Sequence, residues 1–268
     1  MKFSCLLSVY DNESPLFLEQ CLFSIWVQQS LKPAQIVLVK DGVLKESLDA
    51  VISRWQEKLP DILLVICLSA NLGLARALNI GLRSCTYDLV ARMDTDDIAM
   101  HDRFLKQLSF MSAHPDIVAC SSAVEELDQQ GNIFSYRYLP LTHFEIVKFA
   151  KYRCPLSHPA VIFRKPIVLS VGGYPEFRKG QDYALWALLI VSGYKLANLP
   201  DALVKIRIGA GNFRKRGWSA FRSDAKVYYF LQTINFINFF ELFFLLLSRF
   251  FLSIIPSPLK KLCYQVCR

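Results

Sequence analysis

The first part of the chain alternates short apolar runs with longer stretches of helical character. The apolar runs that read as strands are residues 3–10, 35–42, 62–68 and 87–91. Between them, residues 15–29 and 44–59 read as helices, and the turn at 71–79 enters a third helix. Strands that alternate with helices form parallel sheets with right-handed crossovers. The pattern therefore predicts an α/β fold in which a Rossmann-like, mostly parallel sheet is flanked by helices.

An acidic triplet, Asp94, Asp96 and Asp97, follows the fourth predicted strand. Open α/β sheets bind ligands beyond the carboxyl ends of their strands. Carboxylates at i and i+2 suit Mg²⁺ or Mn²⁺, which takes one or two carboxylates and completes its shell with phosphate oxygens and water. A solvated acidic turn that caps the next helix is the alternative. An EF-hand is excluded, because the sixth position counted from Asp94 is Ala99 rather than glycine.

Six short motifs occur along the chain in an order typical of one enzyme family. They are Ser8-Val9-Tyr10, Asp41-Gly42, Asn71-x-Gly73-x-x-Arg76-x-x-Asn79, Arg92-x-Asp94-x-Asp96-Asp97, Ser157-His158-Pro159 and Gly180-Gln181-Asp182-Tyr183-x-Leu185-Trp186. On these motifs the chain resembles family 2 glycosyltransferases with the GT-A fold, above all bacterial enzymes that build O-antigens, capsules and exopolysaccharides. Lys40, where a second acid is common, and Ser157, where Asn is frequent, depart from the family pattern.

The resemblance assigns the amino-terminal motifs to a sugar nucleotide and a divalent cation, Mn²⁺ or Mg²⁺. The nucleotide-binding residues that it implies are Ser8, Val9, Tyr10, Asp41, Asn71, Gly73, Arg76 and Asp94. Asp96 is the expected direct metal ligand. Asp94 is expected at the ribose or in the water shell of the metal, and Asp97 at the donor sugar or in the same shell. Arg76 is expected to reach the diphosphate; a helix-surface arginine is the alternative.

Asp182, at the start of a predicted helix over residues 183–192, is the general base that the resemblance implies. It would take a proton from the acceptor hydroxyl as that oxygen attacks the anomeric carbon, in an inverting single displacement. The alternative is an acid that merely complements the helix dipole. Further residues expected to contact donor, acceptor or diphosphate are Asp97, His158, Gln181, Arg207 and Arg214. For His158, a hydrogen bond to a backbone carbonyl is the alternative.

Residues 234–255 are almost wholly apolar and rich in Phe. Their length would span a bilayer core, which needs roughly 20 residues, but Glu241 and Arg249 interrupt the run. Helical spacing gathers most of the polar residues into one sector. We therefore expect one or two helices in the membrane interface. A helix packed on the catalytic domain and a spanning helix are the alternatives.

The net charge of +8 raises the possibility of nucleic acid binding. The basic residues do not form the stripe with stacking aromatics that a single-strand binder needs. They gather beside the apolar run, which favours phosphate groups and an anionic membrane surface, with a plain solvated surface as the alternative for the tail lysines. The eight scattered cysteines contain no Cys-x-x-Cys pair, which predicts a reducing cytosolic compartment and no zinc site.

These observations and the resemblance together predict a GT-A domain over residues 1–217, with a nucleotide-binding half at about 1–100 and an acceptor-binding half at about 101–217. A hydrophobic, basic, membrane-associating helical region follows at 218–268. The expected enzyme moves glucose or galactose from a UDP-sugar to a lipid-diphosphate-linked saccharide, such as GlcNAc-diphosphoundecaprenol in a β1,3 linkage. It would act in O-antigen assembly, on the inner face of the bacterial cytoplasmic membrane. A capsule or exopolysaccharide transferase with another donor and a non-catalytic sugar-nucleotide-binding protein are the alternatives.

Overall fold

The computed structural model of the protein describes residues 1–128, 130–208 and 218–254. Its elements in chain order are β1 (Ser4–Val9), α1 (Pro15–Trp26), β2 (Gln35–Lys40), α2 (Glu46–Lys58), β3 (Leu63–Cys67), α3 (Leu74–Ser84), β4 (Leu89–Arg92), β5 (Ile98–Ala99), α4 (Arg103–Ala113), β6 (Ile117–Leu127), β7 (Ile133–Arg137), α5 (His143–Ala150), a 3₁₀ turn (His158–Ala160), β8 (Ile162–Arg164), α6 (Lys165–Ser170), α7 (Gln181–Val191), β9 (Lys195–Arg207), α8 (Trp218–Thr233) and α9 (Phe239–Ile254).

The strands form one mixed sheet in the order β3-β2-β1-β4-β8-β6-β9-β5, and β7 pairs with β6. The first four strands of this order are mutually parallel, as the alternating sequence pattern predicts. β8 then runs antiparallel to both β4 and β6, while β9 runs parallel to β6. The predicted mostly parallel sheet with flanking helices is confirmed. Because β1 and β4 are parallel neighbours, the residues that follow each of them emerge at the same edge.

Helices cover both faces of the sheet, so its central strands are buried on both sides. Along β1, Cys5 and Leu7 belong to the core beneath α1, α2 and α4, whereas Leu6 belongs to the core beneath α3 and α7. Successive residues of a strand point to opposite faces, and a strand covered on both faces reads as a continuous apolar run. This explains why the strands stand out in the sequence.

Helix α3 lies unusually close to the sheet at Gly81. A Cβ added at this glycine would lie 2.5 Å from Cδ1 of Leu6 and 2.7 Å from Cγ2 of Val39. The absence of a side chain thus lets α3 approach β1 and β2. This approach fixes the height of α3 above the strand ends that carry the acidic triplet.

The apolar run at residues 234–255 is not one continuous helix. α8 ends at Thr233, and a turn with Asn235 at φ 56° precedes α9. Asn238 and Glu241 cap the start of α9 reciprocally: Asn238 Oδ1 accepts the backbone N–H of Glu241 at 2.9 Å, and Glu241 Oε2 accepts that of Asn238 at 2.8 Å. In the described ranges, no helix combines the length and apolar character needed to cross a bilayer.

The two charged side chains of α9, Glu241 and Arg249, bond to the rest of the protein. Glu241 Oε1 accepts a hydrogen bond from Lys151 Nζ at 2.6 Å, and Arg249 Nε donates one to the hydroxyl of Tyr228 at 2.8 Å. Leu242 and Leu245 pack with them in a third hydrophobic core, shared with α7 and α8. The opposite face is exposed and apolar, and consists of Phe239, Phe240, Phe243, Phe244, Leu247, Phe250 and Phe251. We call these seven residues the Phe face.

Candidate active site

The acidic triplet lies where the sequence predicts, immediately after β4. One carboxylate oxygen each of Asp94, Asp96 and Asp97 lies within 4.8 Å of the others. The loop is held against β1, because the Thr95 hydroxyl donates to the carbonyl of Ser8 at 3.4 Å. The three carboxylates therefore converge at the carboxyl edge of the parallel strands.

Two of the three carboxyls have raised pKa values. Burial, followed by repulsion from Asp94, raises the pKa of Asp96 to about 6. Burial and the charges of Asp94 and Asp96 raise the pKa of Asp97 well above its ordinary value. Within the described residues, Oδ2 of Asp97 is buried without a hydrogen-bond partner, whereas Oδ1 accepts the backbone N–H of Arg207 at 3.0 Å. Convergent oxygens, mutual repulsion and an unpaired buried acceptor fit a hard divalent cation.

A buried cation, Arg92, organises the carboxylates around it. Its side chain is 1% exposed and pairs with Asp94 through Nη2. Its charge also lowers the pKa of Asp96, Asp97 and Asp182, against the larger raising effect of burial. For the part of the chain that the structure describes, Nε and Nη1 of Arg92 have no hydrogen-bond partner. The charge of Arg92 thus acts both on the triplet and on Asp182.

Asp182 occupies the first turn of α7, as predicted, and is half-buried. Burial raises the pKa of its carboxyl, and the backbone N–H of Tyr183 opposes that effect. The thiol of Cys154 donates to Asp182 Oδ2 at 3.5 Å. Gln181, beside it, is also buried and its Oε1 has no partner among the described residues. A carboxylate with a raised pKa at a helix start is suited to accept a proton at neutral pH.

His158 is buried and is held by aromatic neighbours. Its Nε2 lies 3.1 Å from the hydroxyl of Tyr174. Its ring makes T-shaped contacts with the rings of Tyr174 and Trp186. Burial and the charge of Arg92 lower the pKa of His158 well below its ordinary value. The imidazole is therefore neutral. Its Nε2 pairs with the Tyr174 hydroxyl rather than with a backbone carbonyl, and its contact with donor, acceptor or diphosphate stays a prediction.

Asn79 clamps the segment that carries Tyr174. Its Nδ2 donates to the Tyr174 carbonyl and its Oδ1 accepts the Tyr174 N–H, both at 2.8 Å. Gly173 at φ 77° makes the approach possible, because a Cβ there would lie 2.5 Å from Asn79 Oδ1. The last residue of the Asn71–Asn79 motif thus supports the wall of the site from α3.

Asp41 bonds to the neighbouring loop through both carboxylate oxygens. Oδ1 accepts the backbone N–H of Leu72 at 2.7 Å and Oδ2 that of Gly73 at 3.0 Å, while Asn71 Nδ2 donates to the Asp41 carbonyl at 3.2 Å. Gly42 at φ 96° allows this contact, since a Cβ there would lie 2.8 Å from the Asn71 nitrogen. Asp41 therefore shapes the loop between β3 and α3. A carboxylate has about four acceptor sites, so a nucleotide contact by Asp41 stays a prediction.

The remaining predicted residues have mixed positions. Arg76 is exposed and pairs with Glu176, with Nη2 and Oε2 2.6 Å apart, rather than pointing free at the triplet. Arg207 lies beside the triplet; its guanidinium bonds to Gln20 and stacks on Phe17. Of the first motif, Val9 is buried in the core, Ser8 is half-buried and Tyr10 is exposed. Arg214 lies outside the described residues.

Four residues of this region have no role in the sequence prediction. Arg92 was part of a motif without a function, and Cys154 and Tyr174 lie in segments with no signal of their own. Glu13 follows β1 in a polar turn, and burial, together with Asp96 and Asp94, raises its pKa to about 7. The only sequence signal for Glu13 is the polar run after the first strand. Glu13 comes close to Asp96 because β1 and β4 are neighbouring strands, which the local sequence does not show.

Known proteins share both the sequence and the architecture. The family model described as "Glycosyl transferase family 2" matches residues 4–168. An amylovoran biosynthesis glycosyltransferase AmsE of Erwinia amylovora is 41% identical over 264 residues, covering 98% of each chain. A UDP-Gal:alpha-D-GlcNAc-diphosphoundecaprenol beta-1,3-galactosyltransferase of Escherichia coli is 33% identical, covering 98% of this chain and 95% of its own.

Solved structures show the same fold at low sequence identity. Residues 1–349 of S. aureus TarS in complex with UDP-GlcNAc superpose with a TM-score of 0.65 at 18% identity, covering 86% of this chain and 66% of theirs. The mannosyltransferase PcManGT of Pyrobaculum calidifontis, in complex with GDP-Man and Mn²⁺, superposes with a TM-score of 0.64 at 19% identity. The match covers 85% of this chain and 64% of that chain. The GT-A fold is therefore confirmed, and the chain belongs to glycosyl transferase family 2.

Proposed function

We propose that this protein transfers a hexose, with inversion, from a UDP-sugar to a saccharide carried on a lipid diphosphate, during assembly of a bacterial surface polysaccharide. The observation that carries the proposal is the convergence of one carboxylate oxygen each from Asp94, Asp96 and Asp97 just after β4. Asp182, at the start of α7, is far from this triplet in sequence, yet the charge of the buried Arg92 acts on Asp96, Asp97 and Asp182 alike.

Asp182 is the proposed general base. Its burial raises its pKa above the ordinary value, which makes the carboxylate a better proton acceptor than an exposed aspartate. The acceptor hydroxyl would lose its proton to Asp182 as its oxygen attacks the anomeric carbon on the face opposite the nucleotide. The neutral ring of His158 and the hydroxyl of Tyr174 line the same side and would orient the sugar hydroxyls.

Asp96, Asp94 and Asp97 would hold a divalent cation, Mn²⁺ or Mg²⁺. Bound there, the cation would offset the negative charge that develops on the departing diphosphate. Arg207, which lies beside the triplet, would contribute a further positive charge to the departing diphosphate. The ion pair of Arg92 with Asp94 would orient that carboxylate for the ribose or for the cation's water shell.

The relatives support a choice of donor and acceptor. The galactosyltransferase relative carries UDP-Gal and GlcNAc-diphosphoundecaprenol in its name, which supports UDP-galactose, or UDP-glucose, as donor and a β1,3 linkage to a lipid-linked GlcNAc. The AmsE relative is named for amylovoran biosynthesis, which supports a polysaccharide pathway without fixing the product. O-antigen assembly on the cytoplasmic side of the membrane is the pathway we favour.

The Phe face of α9 supports a location at the membrane surface. Several rings are largely exposed, including Phe240 at 72% and Phe243 at 53%, whereas Leu242 between them is 5% exposed. Exposed apolar patches of this kind mark interaction sites. Residues 209–268 contain nine Lys and Arg against two acids, which accounts for +7 of the net charge of +8. An exposed Phe face within a basic stretch of the sequence suits an anionic bilayer.

A transfer assay tests the proposal. Purified protein is incubated with Mn²⁺, a synthetic GlcNAc-diphosphate-lipid and each of a panel of UDP-sugars that includes UDP-galactose and UDP-glucose. We expect one donor to give a disaccharide product with inverted anomeric configuration, and excess EDTA to abolish it. Binding of UDP without transfer from any donor would instead support a non-catalytic sugar-nucleotide-binding protein.

A further inference from the structure

The helix that carries Asp182 rests directly on the carboxyl-terminal helices. Gly180 precedes α7 in the left-handed conformation, at φ 78°, and a Cβ at this glycine would lie 2.9 Å from Cγ2 of Val227 on α8. Val227 is 3% exposed. The chain therefore enters α7 in close contact with α8, two residues before the carboxylate. A displacement of α8 would therefore also displace Gly180 and the start of α7.

Tyr183, the residue after Asp182, is anchored in the same place. Its ring lies in the third hydrophobic core with Tyr228 and Leu231 of α8. Its hydroxyl donates to the carbonyl of Ala150 at the end of α5, so the tyrosine joins three helices. Because Asp182 and Tyr183 are consecutive in α7, the packing of the ring constrains the backbone that carries the carboxylate.

α9 closes this core from the far side. Leu242 and Leu245 are buried in it, and Glu241 is tied by its bond with Lys151 to the segment that follows α5. That same segment continues to Cys154, whose thiol donates to Asp182. The core is thus bounded by α7, α8, α9 and the end of α5, and Asp182 lies at its edge.

We propose that the α8–α9 pair is a positioning element for Asp182, in addition to any role at the membrane. This inference rests on the proposed function of Asp182 as the base. Its reason is geometric: close-packed interiors transmit displacements, and a small misplacement of a catalytic group lowers turnover strongly. A mere membrane anchor could be altered without affecting transfer to a water-soluble acceptor, whereas a positioning element could not.

The first test enlarges the core behind the base. Leu231→Ala is assayed with a short-chain, water-soluble GlcNAc-diphosphate acceptor and no vesicles. We expect kcat to fall at least about tenfold, while the KM for the UDP-sugar and the Kd for UDP stay unchanged. Leu231→Met, which nearly conserves volume, should retain wild-type turnover. Leu48→Ala, in α2 and the opposite core, is the matched control and should keep its kcat.

A second variant removes a single atom, in case Leu231→Ala fails to fold. Tyr183→Phe deletes the hydroxyl that reaches Ala150 and leaves the ring in place. We expect a several-fold loss of kcat with unchanged UDP affinity and an unchanged circular dichroism spectrum. If Tyr183→Phe and any folded Leu231→Ala keep wild-type kcat on the soluble acceptor, the positioning role is refuted.

The same experiment separates this inference from the proposed function. If the wild-type protein transfers no sugar from any donor, the proposed function fails and the variants are not informative about catalysis. If the wild type transfers sugar and Leu231→Ala loses UDP binding as well as kcat, the helices support the whole domain rather than the base. Only a selective loss of kcat supports positioning.

Discussion

Arg92 shows how one buried charge can organise a site at the scale of single residues. An isolated buried guanidinium is costly, and acidic neighbours offset that cost. Arg92 pairs with Asp94, lowers the pKa of Asp182 against the larger effect of burial, and adds to the effect of burial in lowering the pKa of His158. The sequence placed Arg92 inside a motif but could not supply this role, because Asp182 and His158 reach it only through the fold.

Replacement of Asp182 by Asn should separate catalysis from donor binding. The amide keeps the shape of the side chain but cannot accept the acceptor's proton, so we expect kcat to fall at least about 10²-fold. UDP affinity, measured by calorimetry, should change little, because the base acts on the acceptor. Asp116→Asn, at an exposed position, is the control and should keep wild-type turnover. Near-normal turnover of Asp182→Asn would remove the base assignment.

The raised pKa of Asp96 predicts how stability depends on pH and metal. The carboxyl has a pKa of about 6 in the metal-free fold against 3.8 ordinarily. The folded state therefore holds this proton more tightly than the unfolded state, and the resulting stability is lost as pH rises through about 6. We expect the Tm of the protein in EDTA to fall between about pH 5 and pH 7.

Mn²⁺ should reverse this loss, because it binds the deprotonated carboxylates of the folded state. Asp96→Asn should raise the Tm in EDTA at neutral pH and remove most of the shift that Mn²⁺ causes. Thermal unfolding at both pH values, with and without Mn²⁺, measures the effect, and Asp61→Asn at an exposed position is the control. A wild-type response of Asp96→Asn to both pH and Mn²⁺ would contradict the metal assignment.

At the scale of elements, α3 connects the sheet to the wall of the site. One of its faces approaches the strands at Gly81, and Asn79 on the same helix clamps Tyr174. The position of α3 above the sheet therefore also sets the position of the hydroxyl that contacts His158. The helix explains why residues at both ends of the Asn71–Asn79 motif have structural roles in addition to the predicted nucleotide contact.

Gly81→Ala tests how closely α3 must approach the sheet. Alanine is favoured over glycine in a helix by about 1 kcal/mol, but here the added Cβ would collide with Leu6 and Val39. Overpacking of a buried site costs about 1–3 kcal/mol, so we expect a net fall in the free energy of unfolding. Urea denaturation measures it. Arg83→Ala, on the exposed side of α3, should change stability by less than about 0.5 kcal/mol.

At the scale of the whole molecule, the Phe face of α9 is an exposed apolar surface, and the carboxyl-terminal sixty residues of the sequence hold most of the net charge. α9 presents the Phe face outward, while its charged side chains Glu241 and Arg249 bond inward. An amphipathic helix on a protein surface ordinarily has the opposite orientation, with the polar side in solvent. The reversal supports a bilayer as the neighbour of this surface.

Binding to vesicles should depend on both features. We expect the protein to sediment with anionic vesicles at low salt and less so at high salt, because the basic residues contribute a screened attraction. Phe243→Ser combined with Phe244→Ser should weaken binding at either salt concentration. Thr142→Ser, on the distant start of α5, is the control. Equal binding of the double variant and the wild type would exclude the Phe face as the contact.

The C-terminal helices also show why a deletion is a poor test of membrane binding. Removal of residues 218–268 would release the protein from membranes if they form the anchor. It would also expose Tyr183 and Ala187, which pack in the core shared with α8 and α9. Loss of transfer by the truncated protein would therefore have two causes. Substitutions on the Phe face and in the shared core separate them.

Local sequence determined those features whose physical cause is itself local. The parallel strands are evident because burial on both faces requires apolar side chains at every position. The acidic triplet and the place of Asp182 in the first turn of α7 are evident because they follow directly from a strand end and a helix start. For these parts, the predicted residues and the observed positions agree.

Tertiary structure decided every feature that depends on a partner distant in the chain. Arg76 pairs with Glu176, one hundred residues away, and Asp41 bonds to the loop before α3. Glu241 and Arg249 of α9 bond to Lys151 and Tyr228. Periodicity shows which side chains share a helix face, but it is silent on what that face meets. A charged or polar group takes the nearest partner that the folded chain offers, and only the fold determines which one is nearest.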